Sequence, residues 1–165
     1  MTMMTELLED LAASRGRLVA SLTGLSDQQL VRKGTVGSWS IKDVLGHVAA
    51  WEWTVAGFVP EWLASGQTPD VLFILKEHGD DAANTIVVAE RAAFTIGEQL
   101  EELQRARARL VACIQTLGDA TLARSWPMGD SDDTLAAYFK DEVGGHETAH
   151  AEAIETAAKR LLFPH

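Results

Sequence analysis

Ser40-Ile41-Lys42-Asp43-Val44-Leu45-Gly46-His47-Val48-Ala49-Ala50-Trp51-Glu52-Trp53-Thr54-Val55 is the stretch that decides the fold. The Ser40 hydroxyl can accept from the free N–H groups of a first helical turn. Asp43, three residues on, makes a near capping box and sets an acidic group at the positive end of the helix. Ile41, Val44, Leu45, Val48, Trp51 and Val55 then share one helical face. Pro60 is expected to bend or end this helix, and Gly66 with Pro69 closes the region.

Outward from this helix, the pattern stays helical and no segment alternates as a half-buried strand does. A first helix is expected from about Thr5 to Thr23, with Leu7, Leu8, Leu11, Leu18 and Leu22 as its stripe and Gly24 as its stop. Leu25 to Leu30 reads as a short helical turn capped by Ser26, followed by a loop with Gly34 and Gly37. Val71 to Asp81 reads as a mixed loop or short helix. One long helix is expected from Asn84 to Leu117, carrying Ala93, Ile96, Leu100, Leu103, Leu110, Ile114 and Leu117 and ended by Gly118. Thr121 to Asp132 reads as a loop around Trp126-Pro127, and Asp132 or Asp133 caps a last helix running to about Leu162. Four amphipathic helices imply an all-α four-helix bundle, with residues 1–165 as one domain.

Composition narrows the function. At 165 residues and 17.9 kDa there is little room for a second domain. With 47% hydrophobic and 23% charged residues, a core can form and a disordered chain is excluded. No apolar run approaches the ~18 residues of a membrane span. Met1 to Leu11 carries Glu6, Glu9 and Asp10 and no early basic cluster, so no signal peptide is expected. The lone Cys113 lies among Leu110, Ile114 and Leu117, which reads as a buried, inert thiol and suits a reducing cytoplasm. A net charge of −10 repels nucleic acid phosphates and anionic lipid, so neither nucleic acid nor membrane is an expected partner.

Chemistry concentrates in the histidines. His78 and His165, in a loop and at the end of the chain, read as solvated. At about 100° per residue from Leu135, His146 falls at about 20° and His150 at about 60°, beside Phe139 and Val143 in the core-facing stripe. Two imidazoles buried one turn apart need partners, and a divalent ion satisfies both. From Val44, His47 falls at about 300° against a face centred at about 30°, at the border of the buried arc next to Trp51. Trp51 can line a pocket. Gly144-Gly145, just before His146, implies either a close helix contact or clearance for a ligand. His146-Glu147-Thr148-Ala149-His150 matches the H-E-x-x-H of zinc peptidases. However, Ala153 and Thr156 stand where that pattern would continue with glycine and histidine, so a peptidase is not expected.

Gly37-Ser38-Trp39-Ser40 through Trp51-Glu52, with His146 and His150 on the last helix, resembles the DinB-like (damage-inducible, YfiT-type) metalloenzyme family. The resemblance covers nearly the whole chain. It implies a bundle in up-down-down-up order and a metal, zinc or nickel, held by His47, His146 and His150 with open positions. It also implies chemistry of the kind such relatives perform: transfer or isomerisation dependent on bacillithiol, mycothiol or glutathione, or hydrolysis. Trp51 through Trp62-Leu63 to Gly66 resembles a hydrolytic subgroup.

The expected function is therefore that of a metal-dependent enzyme acting on a small electrophilic molecule, with a low-molecular-weight thiol as a second cofactor. Glu142, one turn before His146, is the candidate catalytic residue, orienting an imidazole or accepting a proton. The alternative is a non-enzymatic bundle that binds a small molecule or protein partner without metal. A homodimer is expected from the resemblance and from Phe58, Trp62 and Leu63 around Pro60, which must pack against the Val71–Leu75 loop or a second chain.

Overall fold

The computed structural model describes residues 1–67, 82–126 and 133–163. Its elements are α1 (Met3–Ala20), α2 (Asp27–Leu30), α3 (Ile41–Ser65), α4 (Ile96–Leu122), α5 (Leu135–Tyr138), a π-helical turn (Phe139–Gly145) and α6 (His146–Leu162). Residues 82–90 are also helical. Among the described residues there is no strand, only the isolated bridges Val36 with Trp39 and Ser125 with Thr134.

Helix starts follow the capping chemistry. Ser40 accepts from the Asp43 N–H, and the Asp43 carboxylate accepts from the Ser40 N–H at 2.8 Å. Ser26 caps α2 in the same reciprocal way, and Thr2 starts α1 slightly earlier than its leucine stripe implies. Pro60 does not end α3, which runs on to Ser65 and stops at Gly66 in the left-handed region (φ 68°). Proline already has a helical φ and removes one backbone bond. Burial of Val55, Ala56, Phe58 and Val59 around it offsets that loss.

Two expected elements are corrected. The long helix from Asn84 does not form as one piece. Its first part is the helix at 82–90, residues 91–95 form a turn, and Thr95 starts α4 with a capping box to Glu98. Gly118 does interrupt α4 where a stop is expected: at φ 71°, ψ 162° it is not helical, and a short second helix follows it and buries Leu122. The last helix is capped by Thr134, whose hydroxyl accepts from the Ala137 N–H. Asp133 instead uses its backbone carbonyl to pair with the Trp126 N–H. Asp132, Val71 to Asp81, His78 and His165 lie outside the described residues.

Four long helices make the bundle, and their contacts fix its order. Met4 pairs with Asp119, and Arg15 with Leu103, so α1 and α4 are antiparallel. Lys140 pairs with Asp10, and Arg17 with Glu155, so the last helix runs parallel to α1. Gly46 lies beside Gln99, and Glu52 meets Arg107, so α3 and α4 are parallel. The order is up-down-down-up, and the parallel pair requires the long crossover between α3 and α4.

The apolar core is in two parts. One gathers Leu7, Leu11, Val55, Phe58, Leu110, Trp126, Tyr138 and Val143. The other gathers Leu18, Ile41, Val44, Val48, Leu103, Ala151 and Ile154. Between them on the four helices sit Arg15, Glu52, Arg107 and Glu147, an ionic layer across the middle of the bundle. Phe58 is buried against Trp126 (ring centroids 6.4 Å), and Trp62 packs on the same indole at 4.6 Å. The aromatic end of α3 thus finds cover within its own chain.

Candidate metal centre

His47 sits on the second turn of α3, and His146 and His150 on the first two turns of α6. Antiparallel packing of these helices brings the three rings together. His146 Nε2 is 2.9 Å from His47 Nε2 and 3.1 Å from His150 Nε2. One nitrogen from each ring lies within 4.8 Å of the others, and no other such group of His, Cys, Asp or Glu occurs among the described residues. All three rings are half-buried. Trp39 packs against His47 at 5.4 Å, and Trp51 against His146 at 6.2 Å. Trp51 Nε1 donates to the Glu142 carbonyl at 2.6 Å, which ties the π turn to α3.

Electrostatics favour the neutral rings. Burial, with the His150 ring adding to it, holds His47 down to about 4. Burial and the two neighbouring imidazoles hold His146 down to about 3. His150 is lowered by burial. At neutral pH each ring therefore keeps a lone pair, the form in which imidazole binds a metal. Three neutral nitrogens directed at one point make only two mutual hydrogen bonds, whereas a divalent ion takes all three lone pairs. The donor set fits an ion with open coordination positions.

The sequence profile of the DinB superfamily matches residues 10–154. The chain belongs to the DinB superfamily. The uncharacterized protein YuaE of Bacillus subtilis (strain 168) is 23% identical over 145 residues, covering 85% of this chain and 90% of YuaE. The crystal structure of an uncharacterised protein from Escherichia coli UTI89 superposes with a TM-score of 0.72. It is 16% identical to this chain, with 98% of this chain and 96% of that one covered. That likeness shows the shared fold.

Within this DinB-superfamily bundle the last helix is phased differently from a uniform 100° rotation. Leu135, Phe139 and Val143 are buried, but from there the buried line passes to Glu147, Ala151, Ile154 and Ala158. His146 and His150 therefore face the groove beside α3 rather than the middle of the core. The cause is the π turn, whose wider i→i+5 bonding shifts the phase of everything after it. Gly144 shows the matching constraint: a Cβ there would lie 3.4 Å from Leu11 Cδ2. The glycine thus serves a close contact with α1.

Glu147, the glutamate of the H-E-x-x-H string, is fully buried and turned away from the histidines. Its carboxylate accepts from Ser14 Oγ and Arg107 Nη2, each at 2.6 Å, and pairs with Arg15 Nε. Glu52 bridges the same two guanidiniums, with Arg15 Nη2 at 2.8 Å. Burial pushes the Glu52 carboxyl up from its ordinary range, against the pull of Arg107 and Arg15. Each glutamate is one residue from a wall or ligand of the site: Glu52 follows Trp51 and Glu147 follows His146. The cluster thus fixes the rotation of both helices that present the histidines.

Glu142 lies on the π turn with its side chain exposed; its carboxylate raises the pKa of the buried Tyr138 hydroxyl, adding to the larger effect of burial. Cys113 is buried, and burial raises its thiol pKa. Two neighbours of the site were not foreseen from sequence. One is Trp39, whose position just before the Ser40 cap was the available signal. The other is Asn84, which pulls the His47 pKa upward against the larger effect of burial and which carried no motif.

Proposed function

We propose that the chain is a metal-dependent enzyme acting on a small electrophilic molecule, with His47, His146 and His150 holding one divalent ion. The convergence of three imidazole nitrogens within 4.8 Å carries this reading. Imidazole suits both Zn²⁺ and Ni²⁺. When bound, such an ion supplies Lewis acidity, lowering the pKa of a water or thiol so that it attacks as the anion. A thiol nucleophile makes the enzyme a transferase or isomerase dependent on a low-molecular-weight thiol; a water nucleophile makes it a hydrolase.

The chain's own residues supply the rest. The three neutral rings donate lone pairs, and the ion cluster behind them holds α3 and α6 in register. Trp39 and Trp51 flank the rings with flat apolar surfaces, which suit a small organic substrate. Glu142 is the proposed proton acceptor: its exposed carboxylate takes the proton that the nucleophile gives up, while its backbone carbonyl stays on Trp51. Metal analysis of protein purified without a histidine tag tests the reading. About one ion per chain, lost in His146→Ala, supports it; a content far below one that His146→Ala leaves unchanged refutes it. In that case the metal-free binding bundle is the better account.

A further inference from the structure

The π turn ends in a bonding mismatch. Its last bond runs from the His146 N–H to the Asp141 carbonyl, five residues back. α6 starts at His146 and bonds four residues back, so the next acceptor in line is the Val143 carbonyl. The change from five to four passes over one carbonyl, that of Glu142. A helical carbonyl left over in this way calls for an outside donor. Trp51 supplies it: its indole Nε1–H reaches the Glu142 carbonyl from α3 at 2.6 Å. The same indole is half-buried and packs against His146, ring centroids 6.2 Å apart.

Two registers are open to this segment. Uniform α bonding through Phe139–Gly145 would leave no carbonyl over, but it would turn His146 and His150 into the core and carry Glu147 away from Arg15 and Arg107. The π register leaves the Glu142 carbonyl over and gains both the ion cluster and the three-histidine groove. Glu147 holds that register from the core side, through Arg15 Nε and Arg107 Nη2. We propose that Trp51 holds it from the groove side and is a positioning residue of the metal centre, its indole N–H taking the carbonyl that the π turn leaves over so that His146 and His150 face His47. The inference rests on reading the three histidines as a metal site. An ion bound only in this register loses apparent affinity as the register is depopulated. Trp51 is thus more than a flat wall for a substrate, and a ring of the same shape without the N–H lacks the function.

The test removes the bond and keeps the shape. Benzothienylalanine, which has sulfur where tryptophan has its N–H, is placed at position 51. Competition for Zn²⁺ against a chromophoric chelator is expected to show binding weakened by ~10-fold or more. Trp53→Phe, at an exposed tryptophan of the same helix, is expected to change nothing. Deleting Gly145 separates positioning from contact. A Cβ there would meet only the Lys140 carbonyl, at 3.8 Å, and losing one residue lets α bonding run through the turn with the phase of α6 kept. No carbonyl is then left over, so in that background the sulfur analogue is expected to bind Zn²⁺ as well as tryptophan does. An analogue that binds like the native chain overturns the proposal, as does an equal loss with and without Gly145, which makes Trp51 a contact wall alone. A second readout needs neither metal nor deletion. In NMR of the metal-free chain the Arg15 Nε–H, held by Glu147, is expected to exchange faster with solvent once position 51 lacks its N–H; unchanged exchange overturns the control of register. Should the native chain bind no Zn²⁺, the metal reading fails, and this exchange still decides whether Trp51 sets the π turn.

Discussion

Glu147→Ala separates two readings of the same five residues. In a zinc peptidase the glutamate of H-E-x-x-H is the general base, so its loss abolishes turnover and leaves stability nearly untouched. Here Glu147 is fully buried and holds Arg15, Arg107 and Ser14. The native cluster balances two guanidiniums with two carboxylates. Removing Glu147 leaves Arg15 and Arg107 sharing Glu52 alone, one uncompensated positive charge in the middle of the bundle. Arg15 keeps the Leu103 carbonyl, Arg107 keeps that of Leu11, and Ser14 can still donate to Leu11. Ser14 therefore loses little, and the cost falls on the guanidiniums. Breaking a buried pair by removing one partner costs ~3–5 kcal/mol, a large part of the ~5–15 kcal/mol that holds a domain folded. At about 2–4 °C per kcal/mol for a chain of this size, Tm should fall by roughly 6–20 °C. Urea unfolding of the metal-free protein, followed by far-UV circular dichroism, measures the difference. A Glu147→Ala chain within about 1 kcal/mol of the native one, at unchanged m, refutes the assignment of Glu147 to a structural ion cluster.

Removing the metal from the native chain with a chelator should lower Tm, because an ion bound only by the folded state stabilises it; an unchanged Tm in a metal-loaded sample contradicts the site. Stability of the metal-free protein should be flat above pH about 6.5 and fall as the pH drops from there toward about 4, because unfolded histidines take up protons that the folded His47 does not; a chevron-free equilibrium melt across that window, showing no loss, rejects the buried neutral rings. Once a substrate is known from screening thiol cofactors with electrophiles, Glu142→Gln should lower turnover with metal content intact, and unchanged turnover removes Glu142 from the mechanism. Trp62→Glu should destabilise each chain by placing a charge against Trp126, and light scattering on the same samples tests the proposed homodimer, which a mass near 18 kDa across dilution rejects.

The parts of the fold visible in the sequence were those with local chemistry. Ser40 with Asp43 started α3, Gly66 stopped it, and the leucine stripe of α1 found its core. The break before α4 was equally local, written in Thr95-Ile96-Gly97-Glu98, but the apolar spacing running through Ala93 and Ile96 concealed it. The ion cluster left a signal of another kind. At about 100° per residue, Arg15 lies ~40° from Leu11, Arg107 ~40° from Leu103 and Glu52 ~50° from the centre of the α3 apolar face. A charge within the apolar stripe of each of three helices implies that the charges meet. What no sequence pattern supplied was which charge meets which, since the pairs join residues 37 to 132 positions apart.

The π turn was the least legible element and the one on which the site depends. Gly144-Gly145 marked a weak place in the helix without giving its bonding pattern. Without that turn, a uniform helix aligned on Leu135, Phe139 and Val143 would carry His146 and His150 into the core and leave Glu147 on its flank. With it, Glu147 reaches Arg15 and Arg107, and the two histidines face α3 and His47. The five residues that look like a peptidase motif thus divide their work by one residue of phase. The histidines serve the groove and the glutamate serves the core. A substitution that restores α-helical bonding at Phe139–Gly145 would therefore disturb the ion cluster and the three-histidine site together, which is the physical reason to treat them as one unit.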